Sequence, residues 1–384
     1  MSKIRVLEMI DKTFLGGGQI HILSLAKFLD RDKFDVSVCS KEQGPLVDEL
    51  KKNHIKHFPV PFQKNPCPRT IQKIRDVLEG PFDILHTHGG VAGLWGRWAA
   101  HRSSVPVVIH TLHGIHYLHY RNYFLKSLSV YLERWLSGKT HVVIFVSDSE
   151  KKKGEEYKLA PREKMVVIKN GIDFSRFLQK SNQKSRDELR KELKIKKGQP
   201  VVGTVARLHR QKGIVYLLQA ARRIQLQFPQ AKVLLVGGGP MRRKLERLSK
   251  KWRLENFVLF LGERKDIPSL LSFIDVFVLP SLWEGMPYVV MEAGALGRPV
   301  VASSVDGVKE MIQDGKEGLL VPPGDPGSLS KALIHLLKKR DYAGQLGKNI
   351  QRKIRQEYSQ TRMVKEIEKL YTRLFHGLPP SFYC

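Results

Sequence analysis

Residues 276–292 read Val-Phe-Val-Leu-Pro-Ser-Leu-Trp-Glu-Gly-Met-Pro-Tyr-Val-Val-Met-Glu. The run 276–279 is β-branched and apolar enough for a strand buried on both faces, and Pro280 with Ser281 stops it. Pro287 suits the first turn of a helix, because the N–H it lacks would have found no partner there. The helix is expected over residues 288–296, ended by Gly297, Arg298 and Pro299. This order leaves Glu284 in the loop beyond the strand and sets Glu292 about a turn and a half into the helix. Backbone N–H groups around Gly285, Met286, Pro287 and Tyr288 make the helix start a natural seat for phosphate. A phosphate seat flanked by two carboxylates suits a ligand that carries both a diphosphate and hydroxyls, as a nucleotide-sugar does. On spacing alone, an ordinary strand-turn-helix with solvated glutamates reads the same way.

Outward from this unit the chain alternates strand and helix in both directions. Short apolar runs at 201–206, 232–236, 258–260, 300–303 and 319–321 accompany it in the second half. The first half has similar runs at 4–9, 34–39, 55–59, 84–86, 107–111, 141–146 and 165–168, with helical patterns between them. Two doubly wound parallel α/β sheets are therefore expected, with a cleft between their domains and ligands beyond the strands' carboxyl ends. Residues 179–200 are polar and lack β-branched runs, which reads as a hinge holding a short helix near 186–193. The expected division is 1–178, a linker at 179–199, a second domain over 200–358, and a terminal segment 359–384. The length of 384 residues agrees, since it exceeds what one core usually holds.

Sixty-six Lys and Arg against 37 Asp and Glu leave a formal charge of +29, which calls for an anionic partner: nucleic acid, anionic lipid or a phosphorylated substrate. No recognisable nucleic-acid-reading motif accompanies the charge. No apolar run approaches the roughly 20 residues that cross a bilayer, and residues 1–8 read as a first strand, not a secretory signal. Cys39, Cys67 and Cys384 fit neither a disulfide framework nor a zinc spacing, so a reducing cytoplasm is expected.

Several constellations could carry chemistry. Gly16, Gly17 and Gly18 follow the first strand and precede a helix, which lets backbone amides approach a phosphate, although His21 takes the third glycine position of a dinucleotide fingerprint. Arg207 and Lys212, beyond the first strand of the second half, could clamp a diphosphate. Gly237, Gly238 and Gly239 form another glycine turn after a strand. His110, His113, His116 and His119 recur every third residue, but no Cys or carboxylate joins them; no metal site is expected, and His113 reads as a residue at the cleft mouth. Phe124, Leu125, Leu128, Tyr131, Leu132 and Trp135 have helical spacing and are expected mostly in the core. The preceding stretch 117–123 mixes aromatics with Arg121, which suits a membrane interface or an acceptor loop.

Taken together, these motifs resemble the retaining glycosyltransferases of family 4, over nearly the whole chain. The most specific part is the pair Glu284 and Glu292 with seven residues between them. Also similar are the glycine loop at 16–18, Thr111-Leu112-His113-Gly114, Asn170-Gly171-Ile172-Asp173, Arg207 with Lys212, the turn at 236–240, and Gly318-Leu319-Leu320-Val321-Pro322-Pro323-Gly324-Asp325. Gln19 and the pair Asp306-Gly307 depart from the usual pattern. The resemblance implies a GT-B fold of two Rossmann-like domains, with the last helix returning to the first domain. It implies that Glu292 binds the donor ribose, Glu284 lies near the donor sugar, and Arg207 and Lys212 hold the diphosphate. His113 would lie against the sugar, with Gly17, Gly18, Gly237 and residues 285–288 lining the donor seat. The expected reaction moves a sugar from a nucleoside-diphosphate sugar, UDP favoured over GDP, to a lipid-linked or cell-envelope glycan acceptor with retention. It needs no cofactor and no metal, and takes place at the inner face of an anionic membrane. The rival readings are a GT-B nucleotide-sugar epimerase and a basic nucleic-acid-binding protein.

Overall fold

β-Branched and leucine-rich runs bounded by glycine and proline become parallel strands in the computed structural model, which describes residues 2–14, 16–63, 67–182 and 184–378. Cys384 and the end of the expected terminal segment lie outside the described residues. The chain divides into two compact units, one built from residues 1–171 and 360–384, the other from residues 172–359.

The first unit holds β1 (Ile4–Ile10), β2 (Phe34–Ser40), β3 (Lys56–Pro59), β4 (Ile84–His88), β5 (Val107–Leu112), β6 (Val142–Phe145) and β7 (Met165–Val167). They form one parallel sheet in the order β3-β2-β1-β4-β5-β6-β7. The order reverses between β1 and β4, whose register sets Glu8 beside His86 and Ile10 beside His88. The second unit holds β8 (Val201–Val205), β9 (Lys232–Val236), β10 (Val258–Gly262), β11 (Val276–Leu279), β12 (Val300–Ser303) and β13 (Leu319–Val321). Its order, β10-β9-β8-β11-β12-β13, reverses between β8 and β11. At such a reversal the flanking helices diverge to opposite faces and leave a crevice beyond the strand ends. Both units are thus doubly wound parallel sheets, as the alternation predicts.

The last helix, Gln360–Phe375, belongs to the first unit. Its apolar stripe of Met363, Val364, Ile367, Leu370 and Tyr371 is buried with Val6, Leu25, Phe34 and Ile84. Gln360 Nε2 donates to Ser24 Oγ at 2.7 Å, and Glu368 accepts from the Asp30 amide at 2.7 Å.

Two expectations differ from the structure. Residues 172–178 were expected with the first domain and 179–199 in a linker, but those of them that the structure describes pack with the second unit. The helix Phe174–Ser181 rests on Ile267–Phe273, Ser272 Oγ reaches the Ser181 carbonyl, and the Lys184 amide donates to Ser269 Oγ at 3.2 Å. A polar surface face on a packed helix has the composition of a linker. The second difference is the helix Tyr123–Gly138, whose aromatic stripe was expected in the core. Phe124 is 71% exposed, Tyr131 64%, Leu128 40% and Trp135 40%, while Val130, Glu133, Leu136 and Ser137 face inward. The inward face is held by a buried ion pair, Glu133 receiving two hydrogen bonds from Arg97 at 2.8 and 2.9 Å. Spacing reveals that a stripe exists and leaves its direction open.

Candidate functional site

Two groups of polar side chains gather at the two sheet reversals, one in each unit. In the second unit, β8 and β11 both end in loops. Lys212, in the turn Arg210–Lys212 after β8, donates from Nζ to Glu284 Oε1 at 2.5 Å. Ser281, just past β11, donates to the same oxygen at 2.6 Å. The two loops are tied by Leu282 N to Gln211 O at 2.7 Å and Gln211 Nε2 to Trp283 O at 2.9 Å. Glu284 is buried, whereas its partner ammonium keeps 20% side-chain exposure. A lysine has three N–H donors. One engaged by Glu284 leaves two for an anion at the loop surface.

The helix Tyr288–Ala295 starts with Pro287 as its capping residue, one position before the expected first turn. Met286 and Tyr288 are buried. A side chain at Gly307 would collide with the Gly285 carbonyl, so glycine there lets the loop approach the neighbouring segment. The Asp306-Gly307 departure from the family pattern therefore keeps the glycine that this contact requires. Glu292 is half-buried on that helix and makes no hydrogen bond or ion pair among the described residues. Burial pushes its carboxyl up to about 7.

Arg207 is exposed on a segment pinned at both sides, with Ala206 N donating to Val236 O at 2.9 Å and Leu208 N to Gly238 O at 2.7 Å. Gly237 spends its own amide on the Gly262 carbonyl at 2.7 Å, and the Gly238 carbonyl accepts from Leu208, so the turn helps to hold the Arg207 segment. Sequence reading had placed Gly237 directly in the donor seat.

In the first unit, His113 follows β5, and its ring lies against the start of the helix Gly17–Phe28. A side chain at Gly18 would begin 3.3 Å from His113 Cδ2. Gly17 opens the helix, with Gln19 folding back to accept from the Gly16 amide at 3.2 Å. His113 Nε2 stands 3.0 Å from His88 Nδ1, and His88 Nε2 stands 2.6 Å from Glu8 Oε2. Tyr371 donates to Glu8 Oε1 at 2.6 Å and meets His86 Nδ1 at 2.5 Å. His86 Nε2 in turn meets Thr111 Oγ1 at 2.6 Å. His21 packs edge-on to His113, ring centres 5.0 Å apart, with Nδ1 3.1 Å from Asn170 Oδ1.

Burial opposes ionisation of Glu8, but in the acid range where it titrates His86 and His88 carry protons, and their attraction and hydrogen bonds outweigh burial and hold the carboxyl well below its usual range. Burial pushes the imidazoles the other way: His88 falls to about 4 and His21 to about 3. His113 falls well below 6.5, first through burial and then through His21 and His88. The cluster is an anionic carboxylate served by neutral rings.

The expected series His110, His113, His116 and His119 does not converge. His110 is buried against Thr87 at 2.9 Å, while His116 and His119 are exposed on a short turn. Glu8, His86 and His88 are the group whose ligand atoms lie close enough to hold a metal, among the described residues. Each of those atoms already has a hydrogen-bond partner within the cluster. Sequence reading missed Glu8, His88 and Tyr371. The available signal was a glutamate inside an otherwise apolar strand, since a charge buried between parallel strands needs a partner.

Comparisons agree with this architecture. Residues 15–176 match the family described as Glycosyltransferase Family 4, and residues 185–353 that described as Glycosyl transferases group 1. The chain is 30% identical over 383 residues to the UDP-Gal:alpha-D-GlcNAc-diphosphoundecaprenol alpha-1,3-galactosyltransferase of Escherichia coli, covering 96% of this chain and 97% of that one. It is 29% identical over 369 residues to an uncharacterized glycosyltransferase of Methanocaldococcus jannaschii, with 93% and 94% covered. Among solved structures, HepE of Anabaena in complex with UDP-glucose superposes with a TM-score of 0.84 at 23% identity, over 96% of this chain and 99% of that one. With both matched segments in order and the relationship running end to end, the chain belongs to glycosyltransferase family 4 and is a GT-B glycosyltransferase.

Proposed function

We propose that this enzyme transfers a hexose or N-acetylhexosamine from a UDP-sugar to a lipid-linked glycan acceptor, with retention and without a resident metal. The carrying observation is the Lys212–Glu284–Ser281 cluster at the β8/β11 reversal, one loop away from the helix that carries Glu292. The UDP-glucose bound by HepE and the diphosphoundecaprenol acceptor named for the Escherichia coli relative support the choice of substrates. When the C1–O bond to the β-phosphate breaks, negative charge builds on the leaving UDP. Lys212, Arg207 and the helix start at 285–288 meet that charge, the role a preorganised cation plays in such a site. The acceptor oxygen bonds to C1 as the UDP oxygen leaves from the same face, and the acceptor's proton passes to that phosphate oxygen. Glu284 accepts from the sugar hydroxyls and Glu292 from the ribose, while His113 lies against the sugar. Charge on UDP is balanced by side chains, so turnover should persist in excess chelator. Incubation of UDP-hexoses with a diphosphopolyprenol-linked sugar, with and without chelator, tests this. Transfer that stops in chelator would overturn metal independence, and epimerised UDP-sugar formed without acceptor would favour an epimerase.

Glu292 makes a pH-dependent prediction. Its carboxyl is raised from 4.5 to about 7, so the stability its neutral form contributes is complete below about 4.5 and is lost as pH rises through 7. Ribose hydroxyls prefer the ionised acceptor, so UDP affinity should rise as pH climbs through 7. Glu292→Gln should cost roughly 1.5–3 kcal/mol of UDP binding at pH 8 and abolish that rise. Calorimetry at pH 6 and pH 8 on both proteins reads it; an unchanged pH profile in the variant would remove Glu292 from the ribose.

The enzyme works, on this account, against an anionic bilayer, with the outer face of the helix Tyr123–Gly138 as its contact. Phe124, Leu128, Tyr131 and Trp135 form one exposed stripe, extended by Tyr120 and Tyr123. Arg121, Arg134 and Lys139 are exposed around it, and Glu133, the acidic residue of that helix, is turned inward. Aromatics at the headgroup boundary with flanking cations are the composition of an interfacial helix. No helix among the described residues is long and apolar enough to cross a membrane. Each cation near an anionic surface contributes about 1 kcal/mol, screened over roughly 8 Å at physiological salt. The double variant Phe124→Ser, Trp135→Ser should therefore bind anionic vesicles at least about tenfold more weakly, from lost apolar burial. Cosedimentation at low and high salt checks this, and wild-type protein that stays in the supernatant at low salt would leave a water-soluble acceptor as the better account.

A further inference from the structure

The buried cluster behind His113 has a direction built into it. Glu8 is an ionised carboxylate, able only to accept, and Tyr371 donates to one of its oxygens. His88 must then present its proton on Nε2, toward Glu8 Oε2 at 2.6 Å. A neutral imidazole protonated there carries a lone pair on Nδ1. His113 Nε2, at 3.0 Å from that lone pair, must supply the N–H. His113 is held neutral by burial and by its imidazole neighbours, so its remaining nitrogen, Nδ1, is an acceptor. The second branch closes consistently: His86 donates from Nδ1 toward the Tyr371 oxygen, and its Nε2 accepts from Thr111.

We propose that Glu8, His88 and Tyr371 are positioning residues that fix the His113 tautomer, so that His113 Nδ1 selects donor sugars by accepting from a sugar hydroxyl. This deepens the functional reading above and rests on its placing of His113 against the donor sugar. A neutral ring with a fixed lone pair repels phosphate oxygens and pairs with a hydroxyl, so it discriminates between sugars and leaves the diphosphate to other groups. It also gives the terminal helix a part in specificity, because Tyr371 lies 363 residues from Glu8 in the chain and reaches it only through that helix. A second-sphere carboxylate that orients an imidazole is a known means of setting which ring nitrogen carries the proton.

Imidazole nitrogen NMR on the full chain, without substrate, tests the tautomer. His113 should read as protonated on Nε2 in the wild type and shift toward the other tautomer in Glu8→Gln, whose amide can donate to His88 in place of accepting. Tyr371→Phe leaves Glu8 a carboxylate that can only accept, so His113 should keep its Nε2 proton in that variant, and the wild-type spectrum carries the test should Glu8→Gln fold poorly. With substrate, Glu8→Gln should raise KM for the UDP-sugar about five- to tenfold, the size of one hydrogen bond, and leave UDP affinity unchanged. A general structural lesion would weaken both. Wild-type His113 protonated on Nδ1 overturns the proposal, as does a variant that loses UDP and UDP-sugar binding equally. Failure of the wild type to transfer from any UDP-sugar would instead sink the functional reading, and the NMR result would stand apart from it.

Discussion

Lys212→Ala is expected to lower turnover by roughly 100-fold or more, as removal of one group that stabilises developing charge does in other enzymes. The ammonium sits where two loops converge at the β8/β11 reversal, paired with Glu284 and still partly exposed. Its removal takes a cation from the leaving UDP and leaves Glu284, buried and served by Ser281, with one fewer donor. The loss should fall mainly on kcat, since the charge it meets is fullest as the bond to phosphate breaks. Lys212→Arg keeps the charge on a larger planar group and should recover only part of the activity. Steady-state kinetics with the UDP-sugar checks both variants, and wild-type kcat in Lys212→Ala would remove this residue from the reaction.

Glu133→Ala is expected to destabilise the first unit by about 3–5 kcal/mol, the cost of leaving a buried charge without its partner. Arg97 is buried, spends two hydrogen bonds on Glu133 and a third on the Gly93 carbonyl at 2.8 Å. Removing both charges, in Arg97→Met with Glu133→Leu, should be much less costly, because no charge is then stranded. Denaturant titration followed by an N-terminal-unit probe separates the cases. The same pair explains why the helix Tyr123–Gly138 turns its aromatics outward: two ionised groups satisfied by each other occupy the inward face. Equal stability of Glu133→Ala and wild type would remove that explanation.

What could be read from the sequence was governed by local signals. Parallel strands buried on both faces are continuous apolar runs, so β11 and its neighbours were visible, whereas the strand order that brings Lys212 to Glu284 was not. The glycines at 16–18 were legible as a turn between strand and helix, and the structure starts the helix at Gly17. The direction of an amphipathic stripe is set by what lies opposite it, and the Arg97–Glu133 pair joins two helices 36 residues apart. Residues 179–199 read as linker because their outward faces are polar, whereas their packing on Ile267–Phe273 is a tertiary fact. The turn at Gly237 was legible after its strand, whereas the partner of its amide, Gly262, is a tertiary fact. The Glu8, His88 and Tyr371 network was least legible. It brings together the first strand, the fourth strand and the last helix, which no spacing rule connects.

The central claim is that a sugar leaves UDP at the Lys212–Glu284 cluster and joins the acceptor on the face it left. NMR of the anomeric centre in the isolated product, formed from an α-linked UDP-hexose in excess chelator, tests this most directly. The account predicts an α-linked product; a β-linked product would contradict it.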